Sequence, residues 1–257
     1  MLASLSHRLH ARSAALLVSV ECGLPRMITL WLILALSGSA LRLMFSPRSG
    51  LLPDLLTLFP YILLTCAPLL SLGLALKWFE HGDMLEQPVY RLARGGSWRQ
   101  VDRSEAMRHP LYGSSGIMVS LLIGTLLNVP IRAAEYFAAL PAIGLIAPSW
   151  LARLHVMMTL DVVLLSSLYT IAFAAALRRV PLFPRLLVAI WGIDLVMQIS
   201  IAKVVTAAGD LPASVGLSLQ TLLDGNVKKV LISAALWTPY LIMSQRVNVT
   251  FRKRVHA

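Results

Sequence analysis

The chain has 257 residues, of which 57% are hydrophobic and only 14% charged, with a mean hydropathy of +0.74. Soluble domains carry about 25% charged residues and disordered chains are poor in apolar ones, so both classes are excluded. The net charge of +11 suits a nucleic-acid binder or a membrane protein that keeps Lys and Arg on one side, and the placement of those residues decides between them.

The apolar runs are unbroken rather than alternating, and approach the ~20 residues that a membrane helix needs. They predict an all-α, polytopic helical bundle of about six spans. The apolar residues at 14–20, preceded by Arg8 and Arg12, predict an interfacial helix leading into the first span. Spans are expected at 27–45 and 55–76, the second with Asp54 as N-cap and Pro60 and Pro68 as kink points. A polar basic stretch, 77–110, separates this pair from spans at 113–131, 155–177, 186–207 and 230–244. Two further apolar segments are too short to cross. Residues 137–147 are interrupted by Pro141. Residues 211–224 place Val215, Leu219, Leu222 and Leu223 on one stripe and are followed by Gly225, a helix stop, which predicts an amphipathic surface helix. The last span is then the shortest, with Lys228 and Lys229 extending its reach by snorkelling.

Six spans put alternate loops on alternate sides. Arg8, Arg12 and Arg26, the six Lys and Arg from Lys77 to Arg108, Arg178, Arg179, Arg185 and the basic C-terminus fall on one side. Arg42, Arg48, Arg132, Arg153, Lys203, Lys228 and Lys229 fall on or near the other. The excess places both termini in the cytoplasm. Because the charge is spread over every inner loop, it implies contact with the lipid bilayer and no nucleic acid. Arg91, Arg94 and Arg99 are expected to lie against anionic headgroups.

Ionisable groups inside a bilayer are costly and usually have a purpose. The candidates are Asp161 in the fourth span, and Asp194, Gln198 and Lys203 in the fifth. Helical rise puts the two carboxylates about 8 Å apart in depth, too far to touch directly. Asp194 and Gln198, one turn apart, share a face with Trp191 and Ile201. Lys203 is the expected partner of Asp161 for packing. The alternative is a polar cavity in which the two carboxylates exchange a proton or hold a cation. Gly116, Ser120 and Gly124 form a small-residue stripe for helix packing, and Glu80, His81, Asp83 and Glu86 read as a solvated helix end.

The C-terminal residues Trp237, Pro239, Tyr240, Ser244, Arg246, Val247, Thr250 and Phe251 carry a signature. It is an aromatic-x-Pro-Tyr helix end followed by a Ser-x-Arg-Val-x-x-Thr-Phe segment. With the basic turn around Pro184, it resembles a bacterial membrane family known as domain of unknown function 2569. Gln245 stands where that family usually has a basic residue. The resemblance covers about 112–257 and implies a four-helix unit in a bacterial cytoplasmic (inner) membrane, with residues 1–111 as an added helical pair and basic loop. It implies no activity, cofactor or site. Physically, Pro239 kinks the last span, Tyr240 anchors in the headgroups, and Arg246, Arg252, Lys253 and Arg254 hold that end inside.

Two distant cysteines, Cys22 and Cys66, and six histidines without paired spacing suggest no metal, haem or disulfide framework. No phosphate loop or hydrolase signature occurs. Three function classes are left, in this order: a non-catalytic accessory or scaffold component with a membrane protein partner, a small transporter or channel with a polar cavity around Asp161 and Asp194, and an intramembrane enzyme acting on lipid.

Overall fold

A computed structural model describes residues 15–16, 19, 22–46, 54–88, 96–143, 147–209 and 211–257. The segment read as an interfacial helix lies largely outside these residues, and Arg91 and Arg94 lie wholly outside them.

The described chain is an all-α membrane bundle. Six long helices account for most of it: α1 (Leu24–Phe45), α2 (Leu55–Trp78), α4 (Ile117–Ala139), α5 (Ser149–Leu177), α6 (Phe183–Thr206) and α7 (Ala213–Met243). Two short helices, α3 (Arg103–Arg108) and α8 (Gln245–Arg252), and two three-residue strands, β1 (Trp98–Gln100) and β2 (Arg254–His256), close one end. Among the described residues, five helices, α1, α2, α4, α5 and α6, are long and apolar enough to cross a membrane; α7, which holds the expected sixth span, is not among them. Their lipid-side residues, such as Leu30, Ile33, Leu70 and Val196, are exposed, as expected where hydrocarbon replaces water.

The start and end of α1, α2 and α6 lie within three residues of the sequence expectation. Three helices differ. First, α4 starts at Ile117 rather than at 113, and it does not stop at Ile131 but runs through Pro130 to Ala139. Val129, Arg132, Ala133 and Tyr136 are all buried on one face, a 3.6-residue repeat that outweighs the hydrogen bond lost at the proline. Residues 137–139, expected in a separate segment, belong to this helix. Second, α5 begins at Ser149, so His155 lies inside it. Third, the surface helix and the short last span are one 31-residue helix, α7. A glycine within a helix costs only about 1 kcal/mol. Side chains on both sides of Gly225 are tied down. Leu219 and Leu223 are buried, Asn226 donates to Gln198 Oε1 at 3.3 Å, and Lys229 pairs with Glu135. The predicted apolar stripe exists, but it packs on the bundle. The small-residue stripe does not act as one: Gly116 precedes α4 with φ +71°, and nothing approaches within 4 Å of a Cβ at Gly124.

Two apolar cores are stacked along the bundle. One is built around Leu72, Met118, Leu122, Leu165, Phe173, Phe183 and Phe251. The other is built around Ala35, Tyr61, Tyr136, Leu154, Met158, Ile201 and Leu219. Both draw on α1 or α2 as well as on the later helices, so the packing crosses the sequence boundary at residues 111 and 112. The α1–α2 contact is pinned by the Trp31 indole, which donates to the Thr65 carbonyl at 3.0 Å. At the end away from the strands, Arg42 Nε donates to the Leu140 carbonyl at 2.5 Å. Thr57 donates to the carbonyl of Ile143 at 3.2 Å.

The other end is basic and tightly tied. Antiparallel β1 and β2 pair Trp98 with His256 and Gln100 with Arg254. The C-terminal signature holds this end by tertiary bonds. Arg246 is buried and donates to Ser115 Oγ at 2.7 Å. The Gly113 N–H donates to Thr250 Oγ1 at 2.9 Å, and Phe251 packs on Phe183 with ring centroids 5.1 Å apart. Gly82 touches the Arg178–Val180 turn so closely that a Cβ would lie 2.7 Å from the Arg178 carbonyl oxygen. Asp83 accepts from Arg103 at 2.7 Å.

Gly82→Ala is therefore expected to destabilise the detergent-solubilised protein by about 1–3 kcal/mol, read as a lowered Tm. The hydrogen bond from Arg103 holds the Asp83 carboxyl below its ordinary value of 3.8. A carboxyl lowered on folding stabilises above its unfolded pKa, and that contribution disappears as pH falls through the folded value. Unfolding of Asp83→Asn at stepped pH should differ from wild type by at most about 1 kcal/mol at neutral pH and converge with it below pH 3.8.

Candidate functional site

Between the two cores lies one polar layer. Arg132 comes from α4, Asp161 and Tyr169 from α5, Asp194 and Gln198 from α6, and Asn226 from α7. Each helix supplies apolar residues to both sides of the layer: Val129 and Ala133 flank Arg132, and Met197 and Ile201 flank Gln198. Asp194 is 0% exposed, Gln198 2%, Asp161 5% and Arg132 9%, so none of these groups is hydrated to a useful degree.

The geometry centres on the Arg132 guanidinium. Its Nη1 donates to Asp161 Oδ2 at 2.9 Å, and its Nη2 donates to Asp194 Oδ2. Gln198 ties the same carboxylates together from the other side. Its Nε2 donates to Asp161 Oδ1 at 3.1 Å and to Asp194 Oδ1 at 3.3 Å. The Tyr169 hydroxyl donates to Asp194 Oδ2 at 3.1 Å, and the Arg132 guanidinium lies 5.8 Å from the Tyr169 ring centroid. A planar, permanently charged fork with donors on two arms suits this task better than a lysine.

Three of the four candidate residues, Asp161, Asp194 and Gln198, are therefore brought together, and the fourth is not. Lys203 is exposed near the end of α6. Among the described residues, the ion-pair partner of Asp161 is Arg132, not Lys203. Lysine at that position needs only to reach the headgroups to remain hydrated. The expected depth offset does not keep the carboxylates apart: both converge on the one Gln198 Nε2, at 3.1 and 3.3 Å, and on the Arg132 guanidinium, because two long side chains reach across between the helices.

Arg132 is not among the sequence candidates, because a span that ends at Ile131 makes a buried intramembrane arginine a loop residue. The available signal was the run of apolar and small residues on both sides of it. A second polar group lies one turn along α4. The Tyr136 hydroxyl is 2.9 Å from Thr159 Oγ1 and 3.3 Å from His155 Nε2. Beside Arg132, a cleft of about 40 Å³ is lined by Asn128, Glu135, Tyr169, Asn226 and Lys229 among others, roughly the volume of one water. Arg99, one of the three expected headgroup contacts, is exposed and pairs with Glu105 at 2.5 Å.

Chemically, both carboxylates are engaged by guanidinium and amide donors, and Asp194 also by the Tyr169 hydroxyl. Two carboxylates against one guanidinium also leave one negative charge in excess, which a proton or a cation would balance in a medium this dry. Breaking such a cluster by removing its cation costs about 3–5 kcal/mol. Arg132→Met is expected to lower the stability in detergent micelles by that amount. Adding Asp161→Asn and Asp194→Asn should recover most of it. Non-recovery would mean that the arginine acts through packing instead. Comparisons with family models, with curated proteins and with solved structures find no match for this chain.

Proposed function

We propose that the chain is a non-catalytic component of a bacterial inner membrane, an accessory or scaffold protein that acts through its helix faces. The observation that carries this reading is the closure of the intramembrane polar groups on one another. Asp161, Asp194, Gln198 and Arg132 bond to one another in a dry layer, with Arg132 Nε the one nitrogen of the guanidinium without a hydrogen-bond partner, which is how a helix bundle is fixed in register rather than how a substrate is received. The apolar faces of α1 and α2, exposed at Leu30, Leu36, Leu56 and Leu70, would then meet lipid or a partner's helix. The resemblance to the family named domain of unknown function 2569 supports the same membrane. Headgroup contact by Arg91, Arg94 and Arg99 suits both termini facing the cytoplasm.

A second reading is a small proton or cation carrier. It is favoured by the excess carboxylate and by the cleft that reaches Arg132. The two readings separate in one pair of measurements. The Asp161→Asn, Asp194→Asn variant should keep the partner captured by crosslinking in native membranes, and wild-type proteoliposomes should show no proton or monovalent-cation flux above protein-free vesicles. A flux that disappears in Asp194→Asn would replace the scaffold reading with the carrier.

A further inference from the structure

One face of α4 is polar where the bundle meets lipid. Ser120, Gly124, Leu127, Asn128, Ile131 and Glu135 recur on it at helical spacing. The first three and Ile131 are exposed, and Asn128 and Glu135 are half-buried. A Cβ at Gly124 would meet nothing within 4 Å, so no described helix packs on the small pair Ser120 and Gly124. Asn128 stands at the middle of α4. Its Nδ2 donates to the Gly124 carbonyl at 2.8 Å, and among the described residues its Oδ1 accepts nothing.

The cleft beside Arg132 opens on this same face, between α4 and α7. Arg132 lines it, is 9% exposed, and keeps its unpartnered Nε there. From α7, Lys229 pairs with Glu135 and donates to Asn226 Oδ1 at 3.3 Å, yet its side chain is 61% exposed. The face thus carries a spare donor, a spare acceptor, an acid and a base. Lipid tails match none of them, whereas a helix with polar side chains does.

Two copies inserted in one membrane with the same orientation are related by an axis along the bilayer normal, so the same patch meets itself at its own depth. Glu135 and Lys229 touch within the chain and therefore share a depth. Across such an axis, the acid of one copy meets the base of the other. Small residues at 120 and 124 let two α4 backbones approach closely, and an amide at mid-span hydrogen-bonds across helices. We propose that the α4 face from Ser120 to Glu135, with Asn226 and Lys229 of α7, is the surface on which a second copy of this chain docks in the membrane. Glu135 of each copy reaches Lys229 of the other, on either side of a contact built from Gly124 and Asn128. This face is separate from the exposed apolar faces of α1 and α2.

The full chain in proteoliposomes supplies the test. Donor or acceptor dye is attached at an added C-terminal cysteine after Cys22→Ser and Cys66→Ser, both exposed positions. Energy transfer is read at rising lipid-to-protein ratio, and with this face intact it should persist on dilution. Glu135→Lys alone and Lys229→Glu alone each set like charges against one another between copies, and should weaken self-association about tenfold or more. Mixing the two variants restores opposite charges between copies while the pair within each chain stays broken, so transfer between them should recover. Asn128→Leu, which removes an amide facing the membrane, should also weaken association about tenfold. Transfer no greater than that of a monomeric membrane protein, or no recovery in the mixture, overturns the interface. Should the charge variants fail to fold, Asn128→Leu decides: a folded variant that associates as tightly as wild type overturns it too.

Discussion

The bundle depends on one cation shared by two anions in a place where water cannot help. Arg132 joins α4 to α5 through Asp161 and to α6 through Asp194, and Gln198 extends the link to α7 through Asn226. Apolar side chains packed against lipid have little preference for one rotation of a helix over another, because lipid tails are as apolar as the side chains. A buried hydrogen-bonded charge has a strong preference. Four helices are thus indexed to a common rotation and depth by a layer a single turn thick, and the two cores fill the space on either side.

The same layer separates two physical roles within the molecule. The core near the strands is large, aromatic-rich and continuous with α8, so that end is held by side chains and backbone together. The other core is capped by Arg42, Ser46 and Thr57, which bond to the segment after α4. Helix α1 contributes least to either core, with only 11% of its apolar window buried. It is the element most open to the surrounding membrane.

How much of this was legible follows from what each signal measures. Hydropathy marks solvent, so α1, α2 and α6 could be delimited well. The shared face of Asp194 and Gln198 follows from helical spacing alone. Proline and glycine mark only local backbone preference, and at Pro130 and Gly225 tertiary contacts prevailed: buried Arg132 and Tyr136 beyond the first, Asn226 and Lys229 beyond the second. Arg132 beyond the first and Asn226 beyond the second belong to one network. Lys203 was a reasonable partner for Asp161 by charge and depth, but a lysine at a helix end reaches water at less cost than a lysine held in the core. Which long side chain bridges two offset carboxylates is a property of three helices at once, and no single segment encodes it.

At about 1.5 Å per residue, α7 measures roughly 46 Å, against a hydrocarbon thickness of about 30 Å. Its contacts to Gln198 and Glu135 fix where its middle sits. Displacing either end of so long a rod therefore loads Asn226, and through Gln198 the load reaches the buried charge cluster.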